Sequence, residues 1–309
     1  MSKRILVVGS LNMDMVVQIE SMPLVGETIL GHGLQYIPGG KGANQACAAA
    51  KLGGQTVMLG CVGDDTFGNA LIHSLADANV DTHHIEIIES IATGTALIYL
   101  NAQGDNSIVV IPGANSLCNI EFLKRYDQDF IDCDILIVQM EIARDAVYYA
   151  IERAYELGKT IILNPAPAPM QIPDCILEKL DYITPNENEL AKLCNQKCDD
   201  IEDIRECARV LLEKGVGDVL ATIGEQGSIL VNKDGFHHFK TRKVTSVDTT
   251  GAGDCFNAAF AVAIAEEKQL SDAILFANCA SSIEVTRMGA QTSIPTRNEV
   301  DAVISKEFS

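Results

Sequence analysis

Short apolar runs alternate along this chain with longer stretches whose apolar positions recur at helical spacing. The short runs, bounded by turn residues, predict buried strands at 5–8, 56–61, 135–139, 160–163, 182–184 and 219–223. The longer stretches predict helices at 42–52, 68–78, 144–157, 187–194, 201–214, 254–266, 272–286 and 297–304. Strands alternating with helices build βαβ units, so the fold class is α/β: a mostly parallel central sheet with helices on both faces. The chain carries no internal repeat, no low-complexity segment and no linker, which predicts a single domain over residues 1–309.

Two segments depart from this alternation. Residues 14–20 (DMVVQIE) and 28–37 are strand-like, with turn residues Pro23 and Gly26 between them. Residues 95–100 and 106–111 read as a second hairpin around Gln103, Gly104 and Asp105. Together they predict a small sheet standing off the main body, formed by insertions at about 12–38 and 95–112. Such an appendage covers a site or makes an interface.

Composition narrows the function classes. The chain has 309 residues, 47% hydrophobic and 21% charged, as an ordinary globular protein does. A formal charge of −19 argues against nucleic acid and anionic membrane as partners. Ten scattered cysteines without a Cys-x-x-Cys pair fit a reduced, cytoplasmic protein. Cys194 and Cys198 share a helical spacing but have no histidine near them in sequence, which disfavours a metal site. The apolar start, ILVV at 5–8, is too short for a signal peptide core, and the longest apolar run falls well short of a membrane span.

The chemistry concentrates at 247–257, VDTTGAGDCFN. A polar, glycine-rich turn leads into an alanine-rich helix, which puts the backbone N–H groups of Gly251, Ala252 and Gly253 at a helix N-terminus. Unpaired donors and the positive end of the helix dipole make such an end an anion site. Asp254 beside it is a carboxylate in an anion-seeking place. Either it takes a proton from something bound there, or it N-caps the helix.

Familiar nucleotide and hydrolase motifs are missing. Around Lys41, Gly42 stands where a Walker A motif needs Ser or Thr, and Gln35 where it needs Gly. No G-x-G-x-x-G follows the first strand, and neither G-x-S-x-G nor H-E-x-x-H occurs. The six histidines read as structural or exposed. What remains is polar residues at predicted strand and helix ends: Asn12 and Asp14, Gly40, Lys41 and Asn44, and Glu141. Carboxylates and amides so gathered suit a polyhydroxylated ligand, because each fixes a hydroxyl as donor or acceptor.

Two longer motifs carry a resemblance. GGKGANQACAAAKLGG at 39–54 and DTTGAGDCFNAAF at 248–260 resemble the signatures of the ribokinase/PfkB carbohydrate kinase family, and the likeness runs from residue 5 to about 295. TPNENE at 184–189 resembles the family's Asn-x-x-Glu element, and TIGEQG at 222–227 another of its motifs. SLNMD at 10–14 and VTRMGAQTS at 285–293 are most similar to its ribokinase group. The resemblance implies ATP-dependent phosphorylation of D-ribose at the 5-hydroxyl; kinases of deoxyribose, fructose or a nucleoside, and a non-catalytic sugar-binding protein, are the alternatives. It implies that Asn12, Asp14, Gly40, Lys41, Asn44 and Glu141 bind the sugar. Asp254 would be the general base, beside an anion hole of Gly251, Ala252 and Gly253. Asn186 and Glu189 would serve the ATP phosphates and Mg²⁺, while Thr222, Gly224, Gly227 and Asn278 would line the nucleotide pocket. An activating K⁺ would lie at Asp248, Thr250, Glu284, Arg287, Gly289 and Ser293, several through backbone carbonyls. The insertions would be a lid that also joins a homodimer.

Overall fold

The computed structural model describes residues 3–101 and 106–307. The strands are β1 (Arg4–Val8), β2 (Asn12–Gln18), β3 (Leu34–Gly39), β4 (Gln55–Gly63), β5 (Ile85–Ile88), β6 (Gly94–Leu100), β7 (Asn106–Ile111), β8 (Ile135–Gln139), β9 (Thr160–Asn164), β10 (Tyr182–Ile183), β11 (Asp218–Thr222), β12 (Ser228–Asn232) and β13 (Gly235–Phe239). The helices are α1 (Lys41–Lys51), α2 (Thr66–Asp77), α3 (Ile120–Arg125), α4 (Asp127–Asp132), α5 (Arg144–Glu156), α6 (Asp174–Leu177), α7 (Glu187–Cys194), α8 (Ile201–Glu213), α9 (Ala252–Ala265), α10 (Leu270–Glu284), α11 (Ala290–Ser293) and α12 (Arg297–Glu307).

Among the described residues nine strands form one sheet, in the order β13-β12-β11-β10-β9-β8-β1-β4-β5. From β11 to β5 every pairing is parallel, while β12 and β13 close one edge as an antiparallel hairpin. The period of two along β1 sends its side chains to opposite faces. Ile5 and Val7 join a core with α1, α9 and α10, and Leu6 and Val8 join another with α5 and α8. A parallel sheet covered in this way reads as continuous apolar runs, which is why these strands were visible in sequence.

The two insertions meet in a separate four-stranded sheet, β3-β2-β6-β7. Each pairs internally as an antiparallel hairpin, and the hairpins join through the parallel pair β2–β6. The turn residues Gln103, Gly104 and Asp105 lie outside the described residues. The strand expected at 28–37 is shorter: residues 28–33 lie in no strand, and β3 begins at Leu34, after Gly33 at φ 84°. Its last residue, Gly39, leads straight into Gly40, the N-cap of α1. The small sheet therefore ends where the phosphate-loop-like segment begins.

The helix after the glycine-rich turn also starts earlier than expected. Gly251 caps it at φ 90° in the left-handed region, and Ala252, Gly253 and Asp254 form its first turn. A glycine that tolerates positive φ sets that boundary, whereas the apolar run alone points to a later start.

Candidate active site

Polar residues stand at the carboxyl ends of neighbouring parallel strands. Ser10 and Asn12 follow β1, Gln139 ends β8, Asn164 ends β9, Thr184 follows β10 and Thr222 ends β11. Ligands bind at such ends because the sheet edge leaves side chains and amides converging on one crevice. Helices α1 and α9 begin there too and pack on each other, which brings their first turns together.

Asp254 sits between them and is 6% exposed. Its Oδ2 accepts a hydrogen bond from Asn44 Nδ2 at 3.0 Å, and its Oδ1 accepts one from Gln45 Nε2 at 2.9 Å. The carboxylate is thus held by two amides of α1 and does not cap its own helix. Those amides are fixed in turn. Gln45 also donates to Asn164 Oδ1 at 3.2 Å and accepts from Gln139 at 2.7 Å, while Asn44 Oδ1 accepts from Gln291 at 3.2 Å. Gln45, Gln139, Asn164 and Gln291 were not singled out in the sequence. Their signal is a buried amide in an otherwise apolar strand or an alanine-rich helix, a position that demands a partner.

The three amides expected to form an anion hole divide. Ala252 N–H already donates to Thr249 O at 3.2 Å, whereas among the described residues neither Gly251 N nor Gly253 N has an acceptor in the chain. A Cβ built on Gly253 would meet nothing within 4 Å, so this backbone faces open space. Lys41 faces the same space, its ammonium pKa pushed up chiefly by the negative charge of Asp254. A cavity of about 170 Å³ lies here, lined among others by Lys41, Asn186, Glu189, Thr222, Gly253 and Asp254.

The residues expected to bind sugar gather beside it. Glu141 Oε2 accepts from Ser10 Oγ at 2.5 Å and from the Lys41 backbone amide at 3.1 Å, which ties the β8 end to the start of α1. Asn12 Oδ1 accepts from Asn115 at 2.8 Å, and Asn115 Oδ1 accepts from Leu11 N at 2.9 Å. Asn115 is a positioning residue with no sequence signal beyond being a buried amide. Burial pushes the Asp14 carboxyl up to about 7, with the charges of Glu141 and Asp254 adding and Lys41 opposing. Those couplings put Asp14, Glu141, Lys41 and Asp254 within electrostatic reach of one another.

At the other end of the cavity Asn186 and Glu189 form a capping box on α7: Asn186 Oδ1 accepts from Glu189 N, and Glu189 Oε2 accepts from Asn186 N. Burial raises the Glu189 carboxyl pKa. An amide oxygen and a carboxylate beside open space suit a hard cation such as Mg²⁺, which takes oxygen ligands and keeps several waters. Thr222 lines the cavity, but Gly224, Gly227 and Asn278 do not. Asn278 instead donates to Ser228 Oγ and Phe239 O, and Gly224 and Gly227 bracket a tight turn, with a Cβ on Gly227 colliding with Phe239 O.

The cation set comes together behind the start of α9. Asp248 accepts from the backbone of Thr250 and Gly289, each at 2.9 Å, and Ser293 Oγ donates to Glu284 Oε1 at 2.9 Å. The Arg287 guanidinium turns away to Glu299, so only its backbone is available to this place. Glu284 Oε2 is buried without a hydrogen-bond partner, an oxygen that a cation would satisfy.

Residues 2–297 match the family described as pfkB family carbohydrate kinase. The chain belongs to this family. It is 38% identical over 299 residues to a ribokinase of Haemophilus influenzae, covering 97% of both chains. It is 36% identical over 305 residues to a deoxyribokinase of Salmonella typhi, covering 97% of this chain and 98% of that one. The structure of Arabidopsis thaliana ribokinase complexed with ribose and ATP superposes with a TM-score of 0.93 at 33% identity, covering all of both chains. The family accounts for a mostly parallel sheet that carries a second, four-stranded one. No helix among the described residues is long and apolar enough to cross a membrane.

Proposed function

We propose that this carbohydrate kinase transfers the γ-phosphoryl group of ATP to the 5-hydroxyl of D-ribose. One observation carries the reading: Asp254, held by Asn44 and Gln45, stands beside the unpaired amides of Gly251 and Gly253 and opposite Lys41. Asp254 takes the proton of the hydroxyl as its oxygen forms a bond to the γ-phosphorus, and the bond to the bridging oxygen breaks with its electron pair leaving on ADP. Gly251 and Gly253 donate to the phosphoryl oxygens, aided by the dipole of α9. Charge stabilisation and positioning are what phosphoryl transfer requires of a protein. Asn186 and Glu189 would hold Mg²⁺, which would supply neutralising charge to the nucleotide phosphates.

Asn12, Asp14, Gly40, Lys41, Asn44 and Glu141 hold the sugar hydroxyls, and Thr222 takes part in the nucleotide end. The four-stranded sheet is the lid, which by covering the sugar keeps out water that competes as acceptor. Its edge strand β7 exposes Ile108, Val109, Val110 and Ile111 in succession, by 45–53%, which supports a homodimer joined through the lid. A cytoplasmic location fits ten cysteines without a disulfide. A second reading, 2-deoxyribose as the sugar, is favoured by the comparable identity to a deoxyribokinase.

ATP consumption with Mg²⁺ across ribose, deoxyribose, fructose and nucleosides, with and without K⁺, tests this. Ribose is expected to be turned over fastest. Faster turnover of deoxyribose moves the specificity, and no turnover of any sugar rejects the kinase reading.

Asp14 gives a pH prediction. Its carboxyl moves from 3.8 to about 7 on folding, so between those values the folded state binds more protons than the unfolded one. Stability contributed by Asp14 is therefore lost as pH rises through that window. Asp14→Asn is expected to raise the melting temperature at pH 8 more than at pH 5 and to raise the KM for sugar. Equal shifts at the two pH values in thermal unfolding would refute it.

A further inference from the structure

Each of the two amides that hold Asp254 meets a further glutamine on its far side. Gln139 Nε2 donates to Gln45 Oε1 at 2.7 Å, and Gln291 Nε2 donates to Asn44 Oδ1 at 3.2 Å. Gln139 ends β8 and is fully buried, and Gln291 lies buried in α11. A carboxamide can turn over with little change of shape, exchanging donor for acceptor. Which end of Gln45 or Asn44 faces Asp254 is therefore fixed by bonds alone. Nitrogen toward the carboxylate and oxygen toward an outer donor fix it from both ends.

The bonds run outward with one polarity. Gln291 Oε1 accepts in turn from Ser74 Oγ at 2.8 Å, and the Gln291 backbone oxygen accepts from Lys51 Nζ at 2.6 Å. Gln139 Oε1 is buried and, among the described residues, has no donor; it lies against Gly9, where a Cβ would collide with it. A buried acceptor without a partner is costly and calls for a reason. Turning Gln139 over would set its oxygen against Gln45 Oε1, and turning Gln45 as well would set that oxygen against Asp254. The donors that Asp254 requires thus leave the unpaired oxygen at the outer end of the relay.

We infer that Gln139 and Gln291 are positioning residues for phosphoryl transfer, holding Gln45 and Asn44 with their nitrogens toward Asp254. Their effect on rate rests on the kinase reading. An ionised Asp254 orients the two amides by its own charge. Once it has taken the proton of the hydroxyl that hold weakens, and the outer glutamines keep both nitrogens in place until the proton leaves. The relays differ in reach. Gln139 acts through Gln45, which is not assigned to the sugar, whereas Gln291 acts through Asn44, which is.

Steady-state kinetics on Gln139→Met, Gln291→Met, Gln45→Met and the Gln139→Met, Gln45→Met double variant test this, together with neutron diffraction from deuterated wild-type crystals. Gln139→Met should lower kcat about tenfold, as small displacements of a reacting group do, and leave both KM values within about twofold. Gln291→Met should lower kcat similarly and also raise the KM for sugar, with that for ATP unchanged. Once Gln45 is Met, adding Gln139→Met should change kcat by less than about twofold, because its route to Asp254 is gone. The wild-type neutron map should show the deuterons of Gln45 Nε2 aimed at Asp254 Oδ1 and Asn164 Oδ1. Three results would overturn the inference: wild-type kcat in both single glutamine variants, an undiminished effect of Gln139→Met in the Gln45→Met background, or a Gln45 oxygen facing Asp254 in the map. A wild type that phosphorylates no sugar would reject the kinase reading and with it the effect on rate, while the map would still decide the orientation. Should the Gln139 or Gln45 variants not fold, Gln291→Met and the map decide it.

Discussion

Turnover in Asp254→Asn is expected to fall about 10²- to 10⁴-fold, the range over which removing a general base acts. Sugar affinity should change little, because the contacts assigned to the sugar come mainly from β2, the start of α1 and the end of β8. The substitution keeps the shape of the side chain but leaves one acceptor oxygen where the carboxylate has two. Either Asn44 or Gln45 then faces an amide nitrogen, and rotation of that amide restores a partner. A cost of about 1 kcal/mol in stability is expected from the disturbed pair, far too small to unfold the chain at assay temperature. The measurement is kcat against the equilibrium dissociation constant for ribose, with folding checked by thermal unfolding. A kcat within tenfold of wild type would remove Asp254 from the chemistry. Helix capping is no longer the alternative explanation for this residue, since Gly251 occupies the cap and Asp254 is bonded to α1.

Two glycines should respond in opposite ways to the same added methyl group. Gly42 lies in the first turn of α1, where alanine would gain about 1 kcal/mol of helix propensity. A Cβ there would nevertheless stand 2.6 Å from Gly9 C and Ser10 N, which are backbone atoms that cannot rotate away. Relief requires α1 to move off the end of β1, and overpacking of this kind costs about 1–3 kcal/mol, more than the propensity gain. The movement also separates the Lys41 amide and Ser10 from Glu141, so Gly42→Ala should lose both stability and activity. Gly253 is likewise in a first helical turn, but its Cβ would point into open space. Gly253→Ala should therefore keep or slightly raise the melting temperature while lowering kcat tenfold or more, because the methyl group occupies room assigned to the phosphoryl oxygens. Thermal unfolding and steady-state kinetics on the pair provide the check. A Gly253→Ala enzyme with full activity would take that glycine out of the anion hole.

The exposed face of β7 and the buried carboxylate of Glu284 illustrate two kinds of information that local sequence does not carry. Strand β7 is a conventional apolar strand in sequence, and only the tertiary structure, which covers neither face of it, leaves Ile108–Ile111 in solvent. Glu284 sits in a helix, and only the packing of α10 against α9 turns that position inward.

By itself the sequence determined the alternation of buried strands and helices, since a parallel sheet covered on both faces must be written in continuous apolar runs and period-3.6 stripes. It also determined the two glycine-rich segments, because close backbone approach and left-handed caps admit few other residues, and with them the family. The tertiary structure alone decided which polar side chains meet. Gln45 holds Asp254 from 209 residues away along the chain and Asn115 holds Asn12 from 103, while Asn164 acts on Asp254 through Gln45. Hydrogen bonds are directional and short-ranged, so a partner is fixed by where the sheet order and the α1–α9 packing bring two groups, which no local pattern records.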